Sequence, residues 1–207
     1  MILRTLKAYC QINLPFASCY HRKACVEALY FGQKPTANML GLKLLLLIII
    51  ANGSPVIAQK LLGGRWQSPL DAGINFIDGK PLFGATKTWR GILAAWIPTS
   101  LVAWLMHLPF LTGFLIALCA MLGDLLSSFI KRRLGMPSSS MALGLDQIPE
   151  SLLPLLVVKY FAPTLLPPPV QADLTWAMVW QIVAVFFAAE LLLSRILFHL
   201  HIRNEPY

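Results

Sequence analysis

Charged residues are scarce in this sequence. Only 13% of the 207 residues are charged, whereas 57% are hydrophobic. Because an ordinary soluble domain carries about 25% charged residues, a soluble chain of this length would lack the polar side chains to cover its surface. The composition therefore predicts a single domain whose main solvent is lipid.

Several common signatures of functional sites are also missing. The four cysteines, Cys10, Cys19, Cys25 and Cys119, form no CxxC pair, which argues against a zinc site or a disulfide framework. The phosphate-binding spacing GxxxxGK[ST] is absent, and no alternating apolar pattern suggests a membrane barrel. Because basic residues cluster beside apolar runs, the net charge of +8 indicates membrane topology and not a nucleic-acid partner.

The sequence does contain five apolar segments, each long enough to cross about 30 Å of hydrocarbon as a helix. They run over residues 40–62, 91–108, 110–130, 148–166 and 174–200. Open strands are excluded in lipid because their backbone groups would lack partners. The predicted fold class is all-α: a polytopic membrane protein with a bundle of about five transmembrane helices.

Basic residues fall on one side of the predicted bundle. They lie around the loop between the first two spans, after the third span and at the C-terminal end: Lys60, Arg65, Lys80, Lys87, Arg90, Lys131, Arg132, Arg133, Arg195 and Arg203. The turn near Pro109 and the loop at 167–169 carry no Lys or Arg. The positive-inside rule places the basic side in the cytoplasm, and we expect an integral protein of the inner membrane.

The first 38 residues disagree with this topology. They place five basic residues on the side that the rule expects to lack them, namely Arg4, Lys7, Arg22, Lys23 and Lys34. They contain neither a span nor a signal-peptide layout. Two interpretations stay open: a true start at Met39, immediately before the first span, or a real appended segment. We therefore separate an extension of uncertain status, 1–38, from a transmembrane domain, 39–207.

The third span carries a carboxylate deep in its apolar run, followed by three basic residues. On a helix, Asp124, Ser127 or Ser128, and Lys131 share one face, with Asp124 about 10 Å below Lys131. An ionisable residue inside a membrane is costly, so Asp124 is a functional candidate by default. The alternative is an Asp satisfied by a neighbouring helix, with the basic run acting only as a stop-transfer signal.

A second carboxylate, Asp146, stands at the cytoplasmic entry to the fourth span. It could cap that helix, since Pro149 tolerates the first turn. It could also converge with Asp124 on a shared cation, because one short loop connects the two. Hard oxygen ligands without a neighbouring His or Cys favour magnesium over zinc. Asp124 and Asp146 are therefore the predicted metal ligands, and Mg²⁺ is the predicted cofactor.

The loop before the second span combines glycines with hydrogen-bond donors. Lys87, Thr88 and Arg90 stand at the predicted N-terminus of that helix, where anions are favoured, and could hold the phosphates of a nucleotide. The alternative is a solvated basic loop that only fixes topology. In the first span, Asn52 and Pro55 predict a broken helix, which either faces a polar cavity or merely kinks.

Taken in order, these motifs resemble the CDP-archaeol synthase family, distant relatives of the phosphatidate cytidylyltransferases. The resemblance covers about residues 40–207 and rests on Asn52 with Pro55, FGATKTWRG at 83–91, GDLLSSFIKRR at 123–133, and Leu-Asp-Gln at 145–147. It implies transfer of CMP from CTP to a lipid phosphate at the cytoplasmic face, with release of pyrophosphate.

The resemblance also implies roles for individual residues. Asp124 and Asp146 would hold Mg²⁺ and act with Lys131 as catalytic residues. A further set would contact CTP and its phosphates: Asn52, Lys87, Thr88, Arg90, Ser128, Arg132 and Arg133. Residues 136–144 are less basic than the family pattern, and Ile-Pro-Glu-Ser follows Gln147 where an acidic–aromatic pair is typical. The lipid therefore stays open between an isoprenoid ether phosphate and a diacylglycerol phosphate.

Two other classes of function are compatible with the same spans. A small transporter could use Asp124 and Glu190 as intramembrane charges, although the internal repeats typical of transporters are absent. A catalytically idle membrane scaffold would keep the outline of the family and be indifferent to Asp124→Asn. The sequence assigns no oligomeric state.

Overall fold

The computed structural model describes residues 37–138, 140, 142–166 and 174–199. These residues form five helices: α1 Ala37–Leu62, α2 Trp89–Leu105, α3 Phe110–Arg133, α4 Gln147–Leu165 and α5 Trp176–His199. The predicted bundle of five helices is confirmed. Nearly all of the predicted extension, the loop at 167–169 and the C-terminal residues beyond His199 lie outside the described residues.

Three of the five helices are long and apolar enough to cross a membrane on their own. They are α1 from Met39, α3 over its full length, and α5 as far as Ile196. With 17 residues, α2 corresponds to about 26 Å. Helix α4 bends at Phe161, whose φ of −112° and ψ of 16° are not helical. Both pack among the three longer helices.

The break predicted in the first span does not occur, because α1 runs without interruption past Pro55. A proline removes one backbone donor, here the donor to Ala51 O, and membrane helices tolerate prolines where neighbouring helices and polar side chains support the backbone. In the preceding turn Asn52 Nδ2 donates to Ile48 O at 3.0 Å, and Ser54 Oγ donates to Ile50 O at 2.5 Å. These two bonds reinforce the turn that precedes Pro55, and neither of them reaches Ala51 O.

The apolar core lies in one half of the bundle. It joins the first half of α1, the second half of α4 and the first half of α5, through side chains such as Leu44, Leu155 and Phe186 that are at most 1% exposed. A second cluster of small residues, including Ala51, Ala95 and Ala120, joins α1, α2 and α3. Small residues let membrane helices approach closely.

Two glycines mark the closest helix crossings. A Cβ on Gly113 of α3 would lie 2.7 Å from Thr99 O of α2, and a Cβ on Gly123 would lie 2.4 Å from Pro149 O of α4. Any larger side chain would push the partner helix away. Gly123 therefore fixes the position of α4 beside Asp124.

The two ends of the bundle differ in the elements that meet there. At what we call the cavity end, α1 and α3 finish and α2 and α4 begin; at the opposite end, α2 finishes and α3 and α5 begin. The connection from α1 to α2, residues 63–88, lies at the cavity end. It is ordered by isolated bridges between Pro69 and Thr88 and between Asn75 and Pro81.

Candidate active site

A cavity of about 890 Å³ opens at the cavity end and receives residues from all five helices. Its lining includes four basic and four acidic side chains: Lys60, Lys87, Arg90 and Lys131 with Asp124, Asp146, Glu150 and Glu190. Charged groups inside a membrane bundle are rare and mark functional sites. The interpretation of the basic loop and the basic run as topology signals alone does not account for this convergence.

Lys87 and Asp124 form an ion pair in the lining of the cavity. Lys87 Nζ lies 2.6 Å from both carboxylate oxygens of Asp124, and the two side chains are 24% and 23% exposed. Burial alone would lower the pKa of Lys87, but the neighbouring Asp124, Glu150 and Asp146 carboxylates raise it above the ordinary value of 10.5. Lys87 is therefore a cation at neutral pH.

A third carboxylate, Glu150, joins this pair from α4. It lines the same cavity as Lys87 and Asp124, at the crossing where Gly123 packs against Pro149. Glu150 was not among the site residues predicted from the sequence. The available signal was its position four residues after Asp146, which places the two on one face of a helix.

The second predicted carboxylate lies on the same cavity. Asp146 Oδ1 lies 2.8 Å from Lys131 Nζ, which also donates to Ser140 O at 2.9 Å. Asp146 Oδ2 accepts from Ala142 N at 2.9 Å, a donor in the loop before α4 and not in the first turn of the helix. The contacts of Asp146 thus differ from those of the helix cap considered above.

The carboxylates of the cavity have the donor chemistry that suits a hard divalent cation, but they form two separate ion pairs, Lys87–Asp124 and Lys131–Asp146. Asp124, Asp146 and Glu150 supply carboxylate oxygens, the donors that Mg²⁺ prefers, and all three surround Lys87. An ammonium group already sits against both oxygens of Asp124, so the environment of this carboxylate accepts a cation. Among the described residues, no three His, Cys, Asp or Glu side chains stand close enough to form a ligand cluster. Water and substrate oxygens usually complete a Mg²⁺ shell.

The remaining predicted phosphate contacts divide into two groups. Asn52, Lys87, Thr88 and Arg90 line the cavity. Thr88 is also the N-cap of α2, where its Oγ1 accepts from Gly91 N at 3.2 Å. Arg90 Nη1 donates to Gly63 O at 2.8 Å and to Arg65 O at 2.5 Å. Arg90 thereby joins the start of α2 to the end of α1.

The second group lies outside the cavity lining. Arg132 donates to Ser138 Oγ at 3.0 Å and to Pro137 O at 2.7 Å. Arg133 pairs with Asp78 at 2.9 Å and donates to Pro81 O at 2.5 Å. Ser128 is buried within α3. The contacts of the two arginines hold loops, and phosphate binding by Ser128, Arg132 and Arg133 stays a prediction.

Helix α5 contributes the wall that faces α1. Glu190 and Ser194 line the main cavity and also a small neighbouring cavity of about 50 Å³, which Asn52 and Val56 of α1 share. The rest of the small cavity is apolar, with Gly53 and Phe186 among its residues. The polar site is thus continuous with an apolar space between α1 and α5. The sequence identified Glu190 as an intramembrane charge but did not connect it to the predicted site.

Comparison with known proteins places the same helices in a family. A family model described as CarS-like CDP-archaeol synthase matches residues 37–207. The CDP-archaeol synthase of Pyrobaculum islandicum is 30% identical over 163 residues, covering 76% of this chain and 92% of its own. That of Saccharolobus islandicus is 31% identical, covering 82% and 96%, and that of Pyrobaculum arsenaticum is 42% identical, covering 55% and 70%.

A solved structure matches as well. It is described as an intramembrane enzyme for archaeal membrane lipids biosynthesis and is similar with a TM-score of 0.57 and 31% sequence identity. The match covers 74% of this chain and 91% of the other. The sequence and the fold therefore point to the same relatives.

Proposed function

Since the chain belongs to the CarS-like CDP-archaeol synthase family, we propose that it transfers CMP from CTP to a membrane lipid phosphate. In this reaction an oxygen of the lipid phosphate forms a bond to the α-phosphorus of CTP. The bond between the α-phosphorus and the bridging oxygen to the β-phosphorus breaks, and pyrophosphate leaves. The products are a CDP-activated lipid and pyrophosphate.

The observation that carries this proposal is a charged cavity inside an apolar bundle. Nucleotidyl transfer depends mainly on positioning and on neutralising phosphate charge, and the cavity offers four cationic side chains for that purpose. Lys87 and Lys131 each bring three donors. In this proposal the phosphates of CTP accept hydrogen bonds from Lys87 and Lys131 and compete for them with Asp124 and Asp146.

Asp124 and Asp146 would hold Mg²⁺, with Glu150 as the neighbouring carboxylate. When bound, the metal would neutralise charge on the triphosphate and polarise its phosphoryl oxygens. The protein's own part is to orient the α-phosphorus toward the lipid phosphate. Arg90 contributes by joining α1 to α2, so that the donors of both helices keep a fixed spacing.

The acceptor must combine a charged headgroup with apolar tails. We place its phosphate in the main cavity and direct its tails toward the surrounding lipid past the gap between α1 and α5, where the small apolar cavity lies. Both an isoprenoid ether and a diacyl chain suit such a wall. The name of the relatives favours the isoprenoid ether, a geranylgeranyl-ether glycerol phosphate, as the first lipid to test.

We also propose that the cavity faces the cytoplasm of an inner membrane. At the cavity end lie Lys60, Arg65, Lys80, Lys87, Arg90 and Lys131 to Arg133, whereas the described lysines of the opposite end are Lys43 and Lys159. The positive-inside rule supports this orientation. CTP is a cytoplasmic substrate, so the orientation is also the one that the reaction needs.

The test is turnover of radiolabelled CTP by purified protein with Mg²⁺, offered geranylgeranyl-ether and diacyl glycerol phosphates separately. We expect a CDP-lipid from at least one lipid, and no product with a chelator. Asp124→Asn should lower turnover about 100-fold to 1,000-fold. The matched control is Asp78→Asn, which removes a carboxylate that pairs with Arg133 outside the cavity and should leave turnover near that of the parent protein.

Each contrary outcome has a definite meaning. Bound CTP without product from either lipid would exclude both acceptors and require another lipid phosphate. Normal turnover in Asp124→Asn would show that the cavity assignment is wrong. If folded protein neither binds CTP nor forms product, the enzyme is rejected in favour of the transporter or the scaffold.

A further inference from the structure

The backbone of Lys87 is held on both of its sides by the loop that precedes α2. Lys87 N donates to Gly84 O at 3.2 Å, and Lys87 O accepts from Leu70 N at 2.7 Å. Two residues further along the chain, Trp89 N donates to Ser68 O at 3.3 Å. The residues that hold Lys87 are therefore the neighbours of Asp71 and the turn at 83–84.

Asp71 binds that turn directly. Its Oδ2 accepts from Phe83 N at 3.1 Å and from Gly84 N at 3.0 Å, while Oδ1 accepts from Gly73 N at 3.1 Å. Asp71 is only 5% exposed. A carboxylate with three backbone donors is a strong, charge-assisted contact.

The turn is also confined from its other side. Gly84 has a φ of +96°, which a residue with a Cβ rarely adopts. A Cβ there would lie 2.8 Å from Ser138 Oγ and 3.1 Å from Arg132 Nη1. The turn at 83–84 is thus packed between the carboxylate of Asp71 and the side chains of Arg132 and Ser138.

We propose that Asp71 is a positioning residue, which fixes the turn at 83–84 and thereby holds Lys87 against Asp124 in the cavity. The path is continuous: Asp71 accepts from Gly84 N, and Gly84 O accepts from Lys87 N. Asp71 does not line the cavity and needs no contact with substrate. This role rests on the proposed function, because it concerns the lysine that would bind the phosphates of CTP.

The chemistry of Asp71 agrees with this role. Burial alone would raise the pKa of Asp71, but the backbone donors of Phe83, Gly73 and Gly84 outweigh it and hold the pKa below 3.8. The carboxylate is therefore ionised at neutral pH, in the state that accepts all three hydrogen bonds. An asparagine at position 71 would have only one acceptor oxygen, and its NH2 group would face the backbone N–H donors.

The experiment compares Asp71→Asn with Asp78→Asn, two equal changes in one loop. The first measurement is kcat/KM for CTP, at a temperature where each variant is folded by size-exclusion chromatography and tryptophan fluorescence. We expect a loss of about tenfold to 100-fold for Asp71→Asn, the effect of a small misplacement. We expect less than about a twofold change for Asp78→Asn.

The second measurement needs no turnover. An amine-reactive reagent modifies the lysines under native conditions, and peptide mass spectrometry gives the rate at Lys87 relative to Lys80 and Lys159. A lysine released from Asp124 reacts faster, so we expect the Lys87 rate to rise several-fold in Asp71→Asn while the two reference rates stay unchanged. A merely structural role would raise all three rates together.

These measurements separate the two proposals. Failure of the parent protein to form a CDP-lipid would reject the function, while the labelling ratio would still test the positioning of Lys87. An unchanged kcat/KM and labelling ratio in folded Asp71→Asn would overturn the role of Asp71. If Asp71→Asn does not fold, Asp71→Glu takes its place, because it keeps the charge but moves the carboxylate by one methylene. Unchanged labelling of Lys87 in that variant would equally overturn the proposal.

Discussion

The two ends of the bundle use lysine in different ways. At the opposite end, Lys43 of α1 donates to Met106 O at 2.9 Å. Lys159 of α4 donates to Leu174 O and stands 5.0 Å from the ring centre of Trp176. At the cavity end, Lys87 and Lys131 pair with the carboxylates of Asp124 and Asp146.

The distribution of carboxylates explains the difference. Within the described residues, every Asp and Glu lies in the cavity or in the loop of residues 63–88 beside it: Asp71, Asp78, Asp124, Asp146, Glu150 and Glu190. A lysine at the opposite end can satisfy its charge with backbone carbonyls and bury its stem. The same residue type therefore binds backbone carbonyls in one region and pairs with carboxylates of the cavity in the other.

Removing one lysine from each end tests this comparison most strongly. Lys87→Met should lower CDP-lipid turnover about 100-fold to 1,000-fold, because a donor to the developing charge is lost. Lys159→Met should keep turnover and lower the free energy of unfolding by about 1 kcal/mol, the worth of a hydrogen bond. Turnover and thermal unfolding in detergent measure the two effects. Similar losses of turnover in both variants would contradict the division of roles.

A smaller effect is expected where α3 crosses α4 beside the site. Gly123→Ala should lower the free energy of unfolding by about 1–3 kcal/mol, because its methyl group would overlap the backbone of Pro149 and Glu150. It should also lower turnover by moving Glu150 away from Asp124. Gly41→Ala in α1 is the matched control: its Cβ would stand 3.6 Å from Ile182, an ordinary contact. Equal stability of the two variants would show that the close crossing at Gly123 does not contribute to stability.

The smallest expected effect is a pH dependence of stability that comes from Asp71 at the cavity end. Folding lowers the pKa of Asp71, so its ionised form contributes stability that is fully present above the ordinary value of 3.8. This contribution is lost as the pH falls through the lower folded value. The difference in thermal stability between the parent protein and Asp71→Asn should therefore shrink as the pH falls below 3.8. A difference that stays constant over that range would contradict this origin.

Much of the fold was accessible from the sequence because it depends on neighbours in the chain. Long apolar runs predicted five helices, and the observed ends of all five lie within three residues of the predicted ones. The exception is Pro55, where a break was predicted and the helix is continuous. A single missing backbone donor did not interrupt a helix that packs on both sides of it.

The site was accessible only in part. Asp124 and Asp146 were predicted because carboxylates in or beside apolar spans are costly, and both line the cavity. Glu150, which lines the cavity, and Asp71, which lies outside its lining, were not predicted. Glu150 reaches the site across a helix crossing, and its one trace in the sequence is its position four residues after Asp146. Asp71 accepts from backbone donors twelve and thirteen residues away, a contact for which a single sequence displays no pattern.

By itself, the sequence determined that this protein lives in lipid as a helical bundle and which side chains are available for chemistry. Solvent preference and helix formation follow from composition and from residues three or four apart. Only the tertiary structure decided which charges meet. Lys87 and Asp124 are 37 residues apart in the chain, and they meet where the loop before α2 packs against α3. Contacts of that kind depend on how helices pack, which local sequence does not encode.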